Sequence, residues 1–162
     1  MSARDIVVIG VMVFALAIAF FAGHHMINTA IDQMIANPVI NASSDTTAAL
    51  QNTKDLTNRM DYVVGGVFLA LTLALIITGY LIGGNPIFMF IYFLFVTIST
   101  VLATILSNVW ETVASYVGFT GTLAYFPISN HLLTYLPIYM VVIGFIGMVA
   151  MFAKPYITGG EA

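Results

Sequence analysis

Few side chains in this chain are able to do chemistry. Two adjacent imidazoles, His24-His25, close an apolar stretch near the N-terminus. Imidazole titrates near neutrality and is the commonest metal-binding side chain, so the pair admits a pH sensor or a metal site. Neighbours on a helix do not face the same way, so a single helix does not turn both rings onto one ion. The alternative is a pair of amphipathic rings at the headgroup level of a membrane. His131 is the third imidazole, near the start of the last apolar run, where Glu111 lies near the same membrane face. One imidazole and one carboxylate are too sparse a set for a metal centre.

Glu111 stands out because no other acid occurs between Asp61 and Glu161. A carboxylate inside hydrocarbon is costly and marks function. A helix starting at Pro86, however, reaches about 37 Å by Glu111, past a hydrocarbon core of roughly 30 Å. Glu111 is therefore expected at the interface, with Asn108 beside it and Trp110 as an aromatic-belt residue. The expectation is that its carboxylate anchors the segment Thr112 to Tyr135 by accepting hydrogen bonds, and carries neither protons nor ions.

Small and hydroxylated residues are the remaining candidates. Gly79 and Gly83 are four apart, Gly65-Gly66 precede them, and Gly144 and Gly147 follow on the last run. Thr97, Ser99, Thr100, Ala103, Thr104 and Ser107 crowd another stretch. Small residues let helices approach closely in lipid, and hydroxyls bond to nearby carbonyls. The same stripe is also the composition of a pore lining, but no paired intramembrane charge accompanies it. No Ser-His-Asp set, phosphate loop, zinc-protease motif or paired intramembrane carboxylates are found, so no enzyme, cofactor or metal is implied. Asn41-Ala42-Ser43 is a formal glycosylation sequon, relevant only in a secretory pathway.

Composition shows what must position these residues. The chain has 162 residues, 60% hydrophobic and 7% charged, against about a quarter charged in soluble domains. Its mean hydropathy is +1.03. That excludes a soluble enzyme. With Lys+Arg totalling 4, nucleic acid is not a partner. The absence of Cys removes disulfides and thiolate sites. The chain reads as an integral membrane protein.

Charge-free runs set the spans. No Asp, Glu, Lys or Arg occurs in Ile6–Met26, Tyr62–Trp110 or Thr112–Ala153, and a span needs roughly 20 apolar residues. Gly83-Gly84-Asn85-Pro86 cuts the middle run into two. The expected fold class is an all-α bundle of four transmembrane helices, at about 6–26, 62–82, 86–108 and 132–153. The first is read as retained, since Gly23-His24-His25 is a poor cleavage site.

Residues 27–61 are expected to form a polar helical hairpin, so that the first two helices extend outside the bilayer. Ile27, Ile31, Met34 and Ile35 keep helical spacing, Pro38 ends the first arm, and Ser43-Ser44-Asp45 offers caps for the second. The segment 112–131 is too apolar for a free loop and is expected along the interface. Ser129 or Asn130 is expected to cap a short helix there, with Pro137 in the first turn of the last span. Lys and Arg tie at two on each side, and the α-amino group tips the termini inward.

Asn85-Pro86-Ile87-Phe88 continuing to Ser107-Asn108-Val109-Trp110-Glu111, and Phe126-Pro127 followed by Leu136-Pro137-Ile138, resemble small multi-span membrane proteins of viruses with an internal lipid membrane and of related mobile elements. The resemblance spans roughly Met60 to Ala153. It implies a virion membrane component packed against itself or capsid subunits, in the virion or host membrane. It implies no catalysis, carries over no site residues, and points to no small-molecule substrate. The competing readings are a holin-like or channel-forming permeabiliser and an accessory subunit of a membrane enzyme complex.

Overall fold

A computed structural model describes residues 5–82 and 86–157, and every regular element among them is helical. The long helices are α1 (Asp5–Ile35), α3 (Ser44–Thr57), α4 (Met60–Ile82), α5 (Pro86–Ala114) and α8 (Leu136–Ile157), with short α2 (Pro38–Asn41), α6 (Thr120–Leu123) and α7 (Pro127–Thr134) between them. By length and composition three stretches are able to cross a membrane: α1, the α3–α4 run and α5. A fourth is added if α7 and α8, bent by 73°, count as one span.

α1 is one unbroken helix of 31 residues, about 46 Å at 1.5 Å per residue and so longer than a hydrocarbon core. Its buried residues are Ile6, Ile9, Gly10, Val13, Ala17, Phe21, His24, Asn28 and Ile31. These recur every three or four positions and form one seam. The apolar part packs against α4 and α5, and the outer part against α3. The hairpin has the cap expected at Ser43 and a further one at Asn37. Asn37 Oδ1 accepts from Val39 N at 3.0 Å with Pro38 opening α2, and Ser43 Oγ accepts from Thr46 N at 3.4 Å to open α3.

Two boundaries differ from the sequence expectation. The third expected span does not stop at Asn108. It runs to Ala114, because nothing from Val109 to Ala114 breaks a helix, so Glu111 and Trp110 sit in its body. The last long helix does not begin at Leu132. Leu132 and Leu133 are buried in α7, and α8 starts at Leu136 after a break at Tyr135. Pro137 explains the break, since in a continuous helix its ring would collide with the carbonyl of Leu133. It stands instead in the first turn of α8, as expected. Ser107 Oγ donates to the Thr134 carbonyl at 2.7 Å, so the broken end is satisfied from α5. Gly83, Gly84 and Asn85, on which the expected turn falls, lie outside the described residues, and α5 begins at Pro86.

α8 packs on α5 and α4 through its glycines. A Cβ on Gly144 would stand 2.5 Å from Val96 Cγ1, and one on Gly147 would overlap the Tyr92 hydroxyl. Gly79 of α4 is buried with the Gly147 carbonyl 3.4 Å from where its Cβ would be. Small residues thus set how near α4, α5 and α8 approach. Gly66 has nothing within 4 Å and is exposed. Gly144→Ala is expected to destabilise by about 1–3 kcal/mol through overpacking. Gly66→Ala should be neutral or stabilising by up to about 1 kcal/mol, the helix-propensity gain. Unfolding titrations in one detergent compare the two.

Candidate functional site

Polar side chains converge where the segment between α5 and α8 lies across α1 and the start of α4. The first group is centred on Asp61, in the first turn of α4. Its carboxylate is 2% exposed. One oxygen accepts from Ile128 N at 2.7 Å, and the other from Ser129 N at 2.7 Å and Ser129 Oγ at 2.6 Å. Those donors are the first free N–H groups of α7, whose own N-cap position, Phe126, offers no side-chain acceptor. Asp61 therefore caps α7 from another helix, and its negative charge meets the positive end of the α7 dipole.

The second group is centred on His24, 1% exposed on the α1 seam. Its Nε2 lies 2.8 Å from Asn58 Oδ1 and 2.9 Å from Asn28 Nδ2. Thr57 Oγ1 lies 3.0 Å from Asn28 Oδ1 and 2.8 Å from the Lys54 carbonyl. One ring nitrogen does not donate and accept at once, and a hydroxyl has one proton to give. A single change satisfies every contact: the Asn28 carboxamide turned by 180°. The Thr57 hydroxyl then donates to Lys54 O and accepts from the Asn28 amide. His24 Nε2–H donates to the two carboxamide oxygens. This assigns the proton to Nε2 and leaves Nδ1 a bare acceptor. Nδ1 is buried and has no hydrogen-bond partner.

An aromatic plug joins the two groups. Phe21 meets Trp110 at 5.1 Å, Phe119 at 5.2 Å and Phe126 at 5.5 Å between ring centroids. His24 lies 5.1 Å from both Tyr125 and Phe126, and His25 is 4.8 Å from Phe119. His25 Nδ1 shares a 3.0 Å hydrogen bond with Thr122 Oγ1. Beside the plug is a pocket of about 320 Å³, walled by His24, His25, Asp32, Lys54, Thr122 and Tyr125 among others. Lys54 Nζ donates to Asp32 Oδ1 at 2.7 Å on its rim.

The candidates read from sequence distribute differently from expectation. Glu111 is exposed on α5, and among the described residues its carboxylate accepts no hydrogen bond. The anchoring expected of it belongs to Asp61, because α5 continues past Glu111 and carries the segment's donors away. Trp110 is fully buried, not a belt residue. Its ring packs on Phe21 and its Nε1 donates to Asn130 Oδ1 at 3.1 Å, so Asn130 holds Trp110 and does not cap α7. Asn108 is exposed, its carbonyl accepting from Thr112 Oγ1 at 3.0 Å. His24 and His25 are packed in the plug rather than spread at a surface. His131 is exposed beside Tyr135 and Tyr139, and no hydrogen bond joins it to Glu111 among the described residues. No group of three or more possible metal ligands occurs among the described residues. Asn28, Thr57, Asn58 and Asp61 were not singled out by sequence reasoning. The available signal was that His24 and Asn28 extend the register of Val13, Ala17 and Phe21, which places polar groups on a core face.

No family model, curated protein or solved structure matches this chain.

The Asp61 cap gives a direct test. Asp61→Ala leaves two backbone N–H groups and a hydroxyl without their acceptor, and each buried unsatisfied group costs roughly 1–3 kcal/mol. Stability in detergent should fall by at least about 2 kcal/mol. Trp110 fluorescence should report loosening of the plug. Glu111→Gln should change stability by less than about 0.5 kcal/mol, as for an ordinary surface substitution.

Proposed function

We propose that the chain is a structural integral membrane protein. In this reading α1, α4, α5 and the bent α7–α8 pair form four spans, and the outer half of α1 with α3 projects from the bilayer as a stiff hairpin. The observation that carries it is the double clamp at the base of that hairpin. The His24–Asn28–Thr57–Asn58 network ties α1 to the α3–α4 break, and Asp61 ties α4 to the interfacial segment. Such bracing supports a part that transmits position, holding an exposed arm at a set angle to a membrane. The exposed tip around Val39 is a surface for capsid-like subunits or other copies. The resemblance to membrane proteins of viruses with an internal lipid layer supports a virion setting.

The hydroxyl stripe gives the permeabiliser reading less support. Thr97, Ser99, Thr100 and Thr104 each donate to the carbonyl four residues earlier, at 2.7–3.0 Å. Ser99 and Ala103 face the protein interior, whereas Thr97 and Thr104 face outward. These residues do not converge on a lumen within one protomer.

Quantitative mass spectrometry of the membrane particles that contain the chain should find it abundant and in fixed ratio to a capsid-type subunit. Cross-linking from a cysteine placed at Ala42 should capture that subunit or a second copy. A trace-level protein that releases dye from reconstituted vesicles would replace the scaffold with the permeabiliser.

A further inference from the structure

Shared partners fix the levels of α4 and α5 at both ends of the bundle. At one end, consecutive residues of α7 hold both helices: Ser129 N donates to Asp61 of α4, and Asn130 accepts from Trp110 of α5. At the other, Gly147 of α8 lies against Gly79 of α4 and Tyr92 of α5. Asp61 to Gly79 is 18 residues, and so is Trp110 back to Tyr92. The two helices therefore run antiparallel, and each residue of α4 has a residue of α5 at its own level. Both pack mainly on α1 and α8 and not on each other, which puts α4 and α5 on opposite flanks of the bundle.

Each flank carries an exposed stripe. On one, Arg59, just before α4, is followed by Tyr62, Gly66, Leu69 and Leu73. On the other, α5 presents Glu111, Asn108, Thr104, Val101 and Thr97. Both stripes step by three, four, three and four residues, the spacing of a single helix face. Because the helices are antiparallel, the stripes match level for level to within one residue, about 1.5 Å. Arg59 is matched with Glu111, and Tyr62 with Asn108. None of these four side chains has a hydrogen bond or ion pair among the described residues, and Arg59 does not pair with Asp55, one turn before it.

One copy cannot join these groups, since they lie on opposite flanks. Two copies side by side in one membrane share orientation and depth, which brings α4 of one antiparallel to α5 of the next in this register. We propose that copies of this chain associate head to tail, with Arg59 of one paired to Glu111 of the next and the Tyr62 hydroxyl donating to the Asn108 carboxamide. The occupant is a second copy because the chain itself supplies both signs of charge, at one level and unpaired. A Cβ on Gly66 would meet nothing within 4 Å, so the flank has room for close approach opposite Thr104. Such an interface is heterologous: a bound pair still offers one free flank of each kind, and it grows into a row or closes into a ring. The pairing rests on the membrane reading above and names the surface by which the scaffold binds itself.

The chain has no Cys, so disulfide trapping in the membranes that express it has no background. Tyr62→Cys and Asn108→Cys, carried by separate, differently tagged copies, should join on mild oxidation into a mixed dimer. A copy carrying both should give a ladder of multimers. Either variant alone should form no disulfide dimer. Arg59→Glu on the Tyr62→Cys copy should cut the mixed dimer by at least about threefold, the scale of an exposed ion pair. Adding Glu111→Arg to the other copy should restore it. Gly66→Leu gives a check that does not depend on charge. It meets nothing in its own protomer, so thermal stability in detergent should hold while the ladder shortens. Self-dimers of a single variant at the yield of the mixed pair would overturn the head-to-tail arrangement in favour of two-fold pairing. Absence of the mixed dimer also overturns the proposal and leaves the flanks to lipid, as does capture of a different protein in place of the second copy. Alkaline carbonate extraction of the same membranes separates the pairing from the reading beneath it. A chain that stays in the membrane without the cross-link refutes the pairing alone, whereas a chain released by carbonate refutes the membrane reading and the pairing with it.

Discussion

A buried carboxylate with three short donors is the constraint on which the rest of this architecture depends. Asp61 stands at the start of an apolar helix and is almost wholly shielded from water. Such a group is tolerable only if its oxygens are filled. The donors come from α7, so α4 cannot be placed without placing α7. Once α7 is fixed, the break at Tyr135 and the direction of α8 follow, because Pro137 forbids a continuous helix and Ser107 takes up the exposed Thr134 carbonyl. Fixing α7 also lays Phe126 and Tyr125 over α1. One electrostatic contact thereby fixes the place of a short helix that has no side-chain cap of its own.

The His24 network does for the outer arm what Asp61 does for the inner one. Between α3 and α4 the chain turns at Asn58 and Arg59. Asn58 reaches His24 across that turn, and Thr57 reaches Asn28. Polar groups inside a helix seam add little net stability, since they exchange one set of hydrogen bonds for another. They do make misplacement expensive, because a shifted register strands several donors and acceptors together. The network therefore sets where along α1 the second arm begins. The Lys54–Asp32 pair on the rim is half in water and contributes much less.

Deeper in the bundle the forces change. On the membrane reading proposed above, lipid tails are as apolar as leucine, so the gain from burying apolar surface between helices largely disappears and close contact must replace it. That is the physical role of the glycines on α8. They let Val96 and Tyr92 of α5 approach the α8 backbone, while Gly79 lets α4 close from the other side. The hydroxyls of α5 follow the same economy, bonding to their own helix wherever they face outward.

Composition, charge-free runs and breakers were enough to identify a multi-helix chain rich in membrane-length segments, because apolar length is a one-dimensional property. The hairpin cap at Ser43, the helix start at Pro86 and the place of Pro137 were legible for a similar reason, since each acts within a turn of itself. The partner of a buried carboxylate is not local. Asp61 and Glu111 look alike in sequence, each an acid at the border of an apolar run, and sequence reasoning assigned the anchoring role to Glu111. Only the packing of α7 against α4 selects Asp61, across a separation of 67 residues to its nearest donor. Trp110 was misplaced for the same reason. Its preference for interfaces is an average over many sites, whereas here the ring packs on Phe21 of α1 and its Nε1 is held by Asn130 of α7, so it is fully buried. The tautomer of His24 and the pocket beside it likewise exist only in three dimensions, where Asn28, Thr57 and Asn58 together determine which nitrogen holds the proton.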